Sequence, residues 1–135
     1  MTDIVEYAAA WLDHFAEAEF DQYPGTIAED FTFYLPFVPP GVPNVIEGRE
    51  KVREVLENTV QGRSKITFSD VRIMRTEDPE LVVATANGQA TMANGNIYRN
   101  SYVFFTRIRD GEVLEHTEYL NPLQVIAAAE EPAGS

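Results

Sequence analysis

Cysteine is absent from the 135 residues, which removes disulfides and every thiolate metal site. Histidine occurs only as His14 and His116. Two are too few for a His-rich metal centre, and no HExxH pattern occurs, so the expectation is no metal and no cofactor. No apolar run is long enough to span a bilayer. The first residues include Thr2, Asp3 and Glu6 rather than a basic stretch ahead of an apolar one, so no signal peptide is read. The expected location is cytoplasmic. Basic residues are scarce, 10 Lys and Arg against 22 Asp and Glu, giving a formal net charge of -12. That charge argues against nucleic acid and anionic membranes as partners.

What is present suffices for one domain with a real core, expected over residues 1–129, with 130–135 as a flexible tail. Asp3 to Phe20 reads as a helix because Val5, Ala8, Trp11, Leu12 and Phe15 recur at helical spacing. Thr2 is its expected N-cap. Pro24-Gly25 interrupts the chain, and a helical turn is expected over Thr26 to Glu29. In "DFTFYLPF", Phe31, Phe33, Leu35 and Phe37 alternate with polar or aromatic neighbours, the period of a strand. "PPGVP" forbids regular structure, and the loop around it is open to two readings, a lid or a rigid connector. Arg49 to Val60 reads as a second helix between Gly48 and Gly62.

The period then falls to two. Ile66–Arg75, Leu81–Ala93, Ile97–Arg109 and Val113–Asn121 read as four long strands separated by "EDPE", "NGN" and "RDGE". Tight turns make consecutive strands antiparallel. A short helix from Leu123 ends the pattern. The expected class is α+β, a curved antiparallel sheet wrapped on the N-terminal helices.

Register decides which side chains meet. A three-residue loop, Arg109-Asp110-Gly111, would set Tyr102 across from Glu118 and Phe104 across from His116, with Tyr98 and Asn100 on the same face. A two-residue loop would set Glu118 across from Val103, because a one-residue slip turns every side chain over. For Asn94-Gly95 a two-residue type I′ turn is expected. It would send Val82, Ala84, Ala86, Gly88 and Ala90 to the outer face, an apolar row suited to a homodimer. Leu114, His116, Glu118 and Leu120 alternate along the last strand and share a face. A carboxyl among leucines is costly unless paired, hydrogen-bonded or protonated.

The order of elements resembles the NTF2-like superfamily, the cone-shaped (cystatin-like) fold of ketosteroid isomerase and the SnoaL-like polyketide cyclases. "IEGREKVREVL" looks like that family's third helix. "GNIYRNSYVFFTRIRDGEVLEHTEYLNPLQV" is similar to the end of the phenazine biosynthesis proteins A and B. The resemblance implies that Glu118 is a proton donor and Tyr98 a substrate-pocket tyrosine. That family's helix histidine and serine fall near Val55 and Thr59. The base and tyrosine of ketosteroid isomerase fall near Leu35 and Trp11, which departs from steroid isomerisation.

The expectation is then a cofactor-independent acid–base enzyme acting on a small hydrophobic or cyclic molecule, a place in secondary metabolism being one option. Its catalytic set is Glu118, His116 and Tyr98. Its substrate-binding set is Trp11, Phe15, Leu35, Val55, Thr59, Asn100 and Tyr102. Two rivals use the same fold: a binding protein without turnover, and a dimeric association domain with a filled pocket. Glu118 is also readable as a structural carboxylate, His116 as a pocket wall, and Tyr98 and Tyr102 as sheet aromatics.

Overall fold

A computed structural model of the chain describes residues 3–131. The first helix, α1, spans Ile4–Phe15. The expected cap, Thr2, lies outside the described residues. Asp3 does the capping instead, its carboxylate accepting the Val5 N–H at 3.2 Å. The helix buries Ala8, Trp11, Leu12 and Phe15, the stripe that its spacing predicts, but it ends five residues before Phe20.

The expected helical turn over Thr26 to Glu29 is a strand. β1 runs Thr26–Tyr34 and begins where the Thr26 N–H reaches the Gly111 carbonyl at 3.1 Å. The Tyr23 hydroxyl donates to that same carbonyl at 2.9 Å. These long-range bonds hold the segment extended against the last strand, and pairing overrides local preference. β1 continues through the predicted "DFTFY" alternation, burying Phe31 and Phe33. A short strand that sequence reading missed, β2 (Val45–Glu47), returns beside it, with Phe33 opposite Ile46. α2 spans Arg49–Val60, as predicted. β3 (Thr67–Arg75), β4 (Leu81–Thr91), β5 (Ile97–Arg109) and β6 (Glu112–Tyr119) form the expected meander, and α3 (Pro122–Ala129) closes the chain.

The strands make one sheet of order β2-β1-β6-β5-β4-β3. All neighbours are antiparallel except β1 and β6. That pair is parallel, which the long connection through α2 and four strands permits. The fold is α+β, with the helices against a curved sheet.

Both turns flanking β5 differ from expectation. Between β4 and β5 the loop is three residues, not two: Met92 still bonds Asn96 (N to O, 2.8 Å), and Gly95 takes φ 92°. Ala84 therefore faces Phe104, Ala86 faces Tyr102, and Ala90 faces Tyr98. Val82, Ala84, Ala86 and Ala90 are all buried in the core, so the proposed dimer row is interior and offers no surface to a second chain. Between β5 and β6 the turn is Asp110-Gly111, both at positive φ (50° and 81°), the type I′ signature. A bulge follows, with Arg107 opposite Glu115 but Ile108 opposite Val113. Leu114 is the extra residue, so fully buried Val113 replaces it on the inner face. The bulge restores the parity that a two-residue turn alone reverses. Glu118 faces Phe104 and His116 faces Thr106. Tyr98, Asn100 and Tyr102 keep the face of Glu118, one pair further along than predicted.

Candidate functional site

Between the sheet, α1, α2 and α3 lies a cavity of about 290 Å³, at the small end of the range for ligand cavities. Phe15 of α1 with Ala16 just after it, Val55, Leu56 and Thr59 of α2, and Val125 and Ala128 of α3 line it. The sheet contributes Phe33, Tyr98, Tyr102 and Glu118. The proline-rich loop after β1 places Val38, Pro39, Val42 and Pro43 on the wall. Its base is closed by the Leu35 N–H bonding the Asn44 carbonyl at 2.8 Å.

Of the residues singled out from sequence, Phe15, Leu35, Val55, Thr59, Tyr98, Tyr102 and Glu118 meet around this cavity. Trp11, His116 and Asn100 stand behind its wall. Trp11 and His116 are wholly buried. The Trp11 indole N–H donates to His116 Nδ1 at 3.2 Å, and the Thr106 hydroxyl lies 2.8 Å from the same nitrogen. An indole can only donate, so Nδ1 is the acceptor and the ring proton of neutral His116 sits on Nε2. Nε2 has no partner among the described residues. Phe15 and Phe104 pack on the ring, with centroids at 4.8 and 5.3 Å. Burial in this aromatic nest pushes the His116 pKa down to about 3.

Asn100 is a brace. Its amide donates to the Tyr98 hydroxyl at 2.8 Å and to the Asn121 carbonyl at 3.0 Å. Its oxygen accepts the N–H groups of Ser101 and Asn121, each at 2.9 Å. With every group used, Asn100 fixes Tyr98 against the end of β6. The two phenol oxygens of Tyr98 and Tyr102 are 2.7 Å apart. One hydroxyl proton makes that bond. The other has no acceptor among the described residues, so the pair keeps one O–H for the cavity. Desolvation raises both phenol pKa values, which keeps the pair protonated at neutral pH.

Glu118 has no hydrogen-bonded partner of its own among the described residues. Burial pushes its carboxyl up to about 7, against an opposing pull from the Arg63 guanidinium. Arg63, not His116, is the charge that Glu118 feels. Sequence reading missed Arg63. It follows the glycine that ends α2 and lines the cavity with its side chain 7% exposed. Its Nη1 holds both carboxylate oxygens of Glu17 at 3.1 Å, while Nη2 bonds the Ala16 carbonyl at 2.6 Å. Glu17 also accepts the Ile66 N–H at 3.0 Å. No periodicity rule links positions 46 apart; a helix-ending glycine followed by a lone arginine was the only local signal. Among the described residues no cluster of His, Asp or Glu is arranged to hold a metal ion, and no helix is long and apolar enough to cross a membrane.

The chain is 30% identical over 96 residues to an uncharacterized PhzA/B-like protein of Pseudomonas aeruginosa, covering 70% of this chain and 67% of that one. A phenazine biosynthesis-related protein from the same organism superposes with TM-score 0.77 at 18% identity, covering 96% of this chain and 86% of that one. A candidate polyketide cyclase of Pseudomonas putida gives TM-score 0.79 at 16% identity, over 96% and 100%. At such identities the two structures speak for the fold alone, which NTF2-like proteins of Burkholderia share. The SnoaL-like domain model matches residues 8–116, most of both helices and strands that build the cavity, and the chain belongs to that family.

Proposed function

We propose that the chain is a cofactor-independent acid–base catalyst acting on a small, largely apolar, carbonyl-bearing molecule. The observation that carries this reading is a carboxyl without a hydrogen-bonded partner among the described residues on the wall of an apolar cavity, where burial pushes its pKa up to about 7. A group with that pKa is present in both protonation states near neutral pH, which suits it to delivering and removing a proton. The spare phenol O–H of the Tyr98–Tyr102 pair supplies a donor where negative charge grows on a carbonyl oxygen. Glu118 moves the proton at carbon, and the phenol pair holds the oxygen. His116 is a positioning residue in this scheme: it is buried behind Phe15 and Phe33 and holds the wall against Trp11 and Thr106. The phenazine biosynthesis and polyketide cyclase neighbours support chemistry of this kind.

The test is exchange of the α-hydrogens of 2-tetralone, a bicyclic ketone, in deuterated buffer, followed by NMR. Exchange above the buffer rate that Glu118→Gln removes supports the proposal. Exchange that is absent in the wild type, or equal in Glu118→Gln, sinks it and leaves a ligand-binding protein of the same fold.

A further inference from the structure

The polar groups of the cavity lie together and are almost entirely donors. Glu118, Tyr98, Tyr102 and Arg63 share its wall, and most of the remaining lining is apolar. Arg63 has five N–H groups in a fixed fork. Nη1 is used on Glu17 and on the Ser64 carbonyl (3.1 Å), and one Nη2 hydrogen on Ala16. The Nε–H and the second Nη2 hydrogen have no acceptor among the described residues. The tyrosine pair adds one free O–H. Protonated Glu118 adds another.

One carbonyl oxygen accepts two hydrogen bonds, and that leaves donors over in an apolar space, where an unmet donor is costly. A carboxylate has two oxygens and about four lone-pair sites, and its bonds to a guanidinium are charge-assisted. Charge agrees. Arg63 and Glu17 cancel, and Glu118 in its acid form adds nothing, so the donor cluster carries no anion that would repel another. The chain as a whole is strongly acidic, so an anionic ligand gains nothing at long range and depends on these local donors.

We infer that the ligand of this cavity is a small, otherwise apolar carboxylic acid whose carboxylate sits on Arg63, the tyrosine pair and protonated Glu118. This goes beyond the acid–base reading of the same cavity: the carboxylate takes the phenol pair and the protonated Glu118 that turnover of a ketone uses, so such an acid occupies the cavity in competition with a carbonyl-bearing substrate. It also couples binding to a proton. The carboxylate is excluded when Glu118 is itself ionised, so acid binding takes up a proton wherever free Glu118 has lost its own.

The experiment titrates the intact chain calorimetrically with 1-naphthoate and with methyl 1-naphthoate from pH 5.5 to 9. The acid is expected to bind about tenfold or more tighter than the ester at pH 6, the worth of one charge-assisted hydrogen bond. Its affinity should fall about tenfold per pH unit above Glu118's own titration, with proton uptake seen across buffers of different ionisation heat. The ester should show neither effect. In Glu118→Gln the pH dependence of acid binding should vanish. In Arg63→Gln the preference for acid over ester should collapse. Should that variant fail to fold, the wild-type pH series and Glu118→Gln still decide the matter. Equal binding of acid and ester, no binding of either at millimolar concentration, or acid binding independent of pH overturns the inference. Loss of the acid preference beside intact Glu118-dependent ketone exchange refutes the ligand class and leaves the catalytic reading standing. Acid preference without any exchange upholds the ligand class and overturns catalysis.

Discussion

Replacing Glu118 by glutamine should change the slope of stability against pH while leaving the fold intact. The carboxyl rises from 4.5 to about 7 on folding. The native state then binds this proton more tightly than the unfolded chain does. Its stabilising effect is complete below pH 4.5 and is lost as pH climbs to 7, a total of about 3 kcal/mol. His116 has the opposite sign. Its pKa falls from 6.5 to about 3 on folding, so the unfolded chain takes the proton first. Stability is lost as pH drops from 6.5 toward 3, a total of about 5 kcal/mol.

Between pH 4.5 and 6.5 the two slopes run against each other at about 1.4 kcal/mol per pH unit each. The wild-type profile should therefore be nearly flat there. Asp3, Asp78 and Glu80, whose carboxyls are held below their ordinary values by backbone and arginine hydrogen bonds, act only at lower pH. Glu118→Gln removes one slope and exposes the other. The variant should gain about 3 kcal/mol between pH 4.5 and 6.5. His116→Gln should show the mirror image, losing stability as pH rises from 4.5 to 7. Urea unfolding followed by the fluorescence of Trp11, the single tryptophan, reads both. A Glu118→Gln profile parallel to the wild type would refute the argument, because it would mean that the carboxyl is solvated or permanently paired.

Other perturbations follow from the same geometry. Gly88→Ala puts a Cβ 2.7 Å from the Tyr102 ring and should lower stability by about 1–3 kcal/mol, with weaker binding of cavity ligands in the same calorimetric assay. Gly111→Ala meets strain from φ 81° and a Tyr7 ring atom at 2.8 Å; thermal melting should show a loss of about 1–3 kcal/mol. Trp11→Phe removes the donor to His116 Nδ1 and should cost about 1–3 kcal/mol in urea unfolding, while leaving ligand affinity within a few-fold because Trp11 does not reach the cavity. Arg109→Ala breaks an exposed pair with Glu80 and should shift the melting free energy by no more than about 1 kcal/mol.

The elements were largely legible because their periods are strong. α2 and β5 fall on their predicted bounds, and the face shared by Tyr98, Asn100, Tyr102 and Glu118 was read correctly. The path to that face was not. Counting loop residues cannot see a bulge, and a two-residue turn plus the bulge at Leu114 yields the same parity as a three-residue loop without one. β1's start was misread for another reason. Residues Thr26 to Glu29 carry no strong local preference, and the Gly111 carbonyl that holds the start of that strand extended lies in a turn 85 positions away by number. Arg63 was invisible because its partner Glu17 lies in the turn after α1, 46 positions back in the chain. His116 was legible as a residue of the inner face, but its separation from the cavity was not. Alternation put it on the same side as Glu118, yet the aromatic side chains of α1 and β1 separate it from the cavity.

The misplaced alanine row explains why the cavity has polar groups where it does. On the outer face those small residues would have served a flat contact between sheets. On the inner face they are cross-strand neighbours of large rings: Ala84 of Phe104, Ala86 of Tyr102, and Ala90 of Tyr98. A row of larger side chains on β4 would fill the volume that the two phenols occupy, since even the smallest addition at Gly88 meets Tyr102 at 2.7 Å. Small residues on one strand thus let the rings of the next lie inward and close together, 2.7 Å from oxygen to oxygen. Asn100 completes the arrangement by tying Tyr98 to Asn121, at the end of the strand that carries Glu118. The phenol pair and the carboxyl are therefore held by one hydrogen-bonded corner of the sheet, and a change in the β4–β5 register would dismantle donor and acid together.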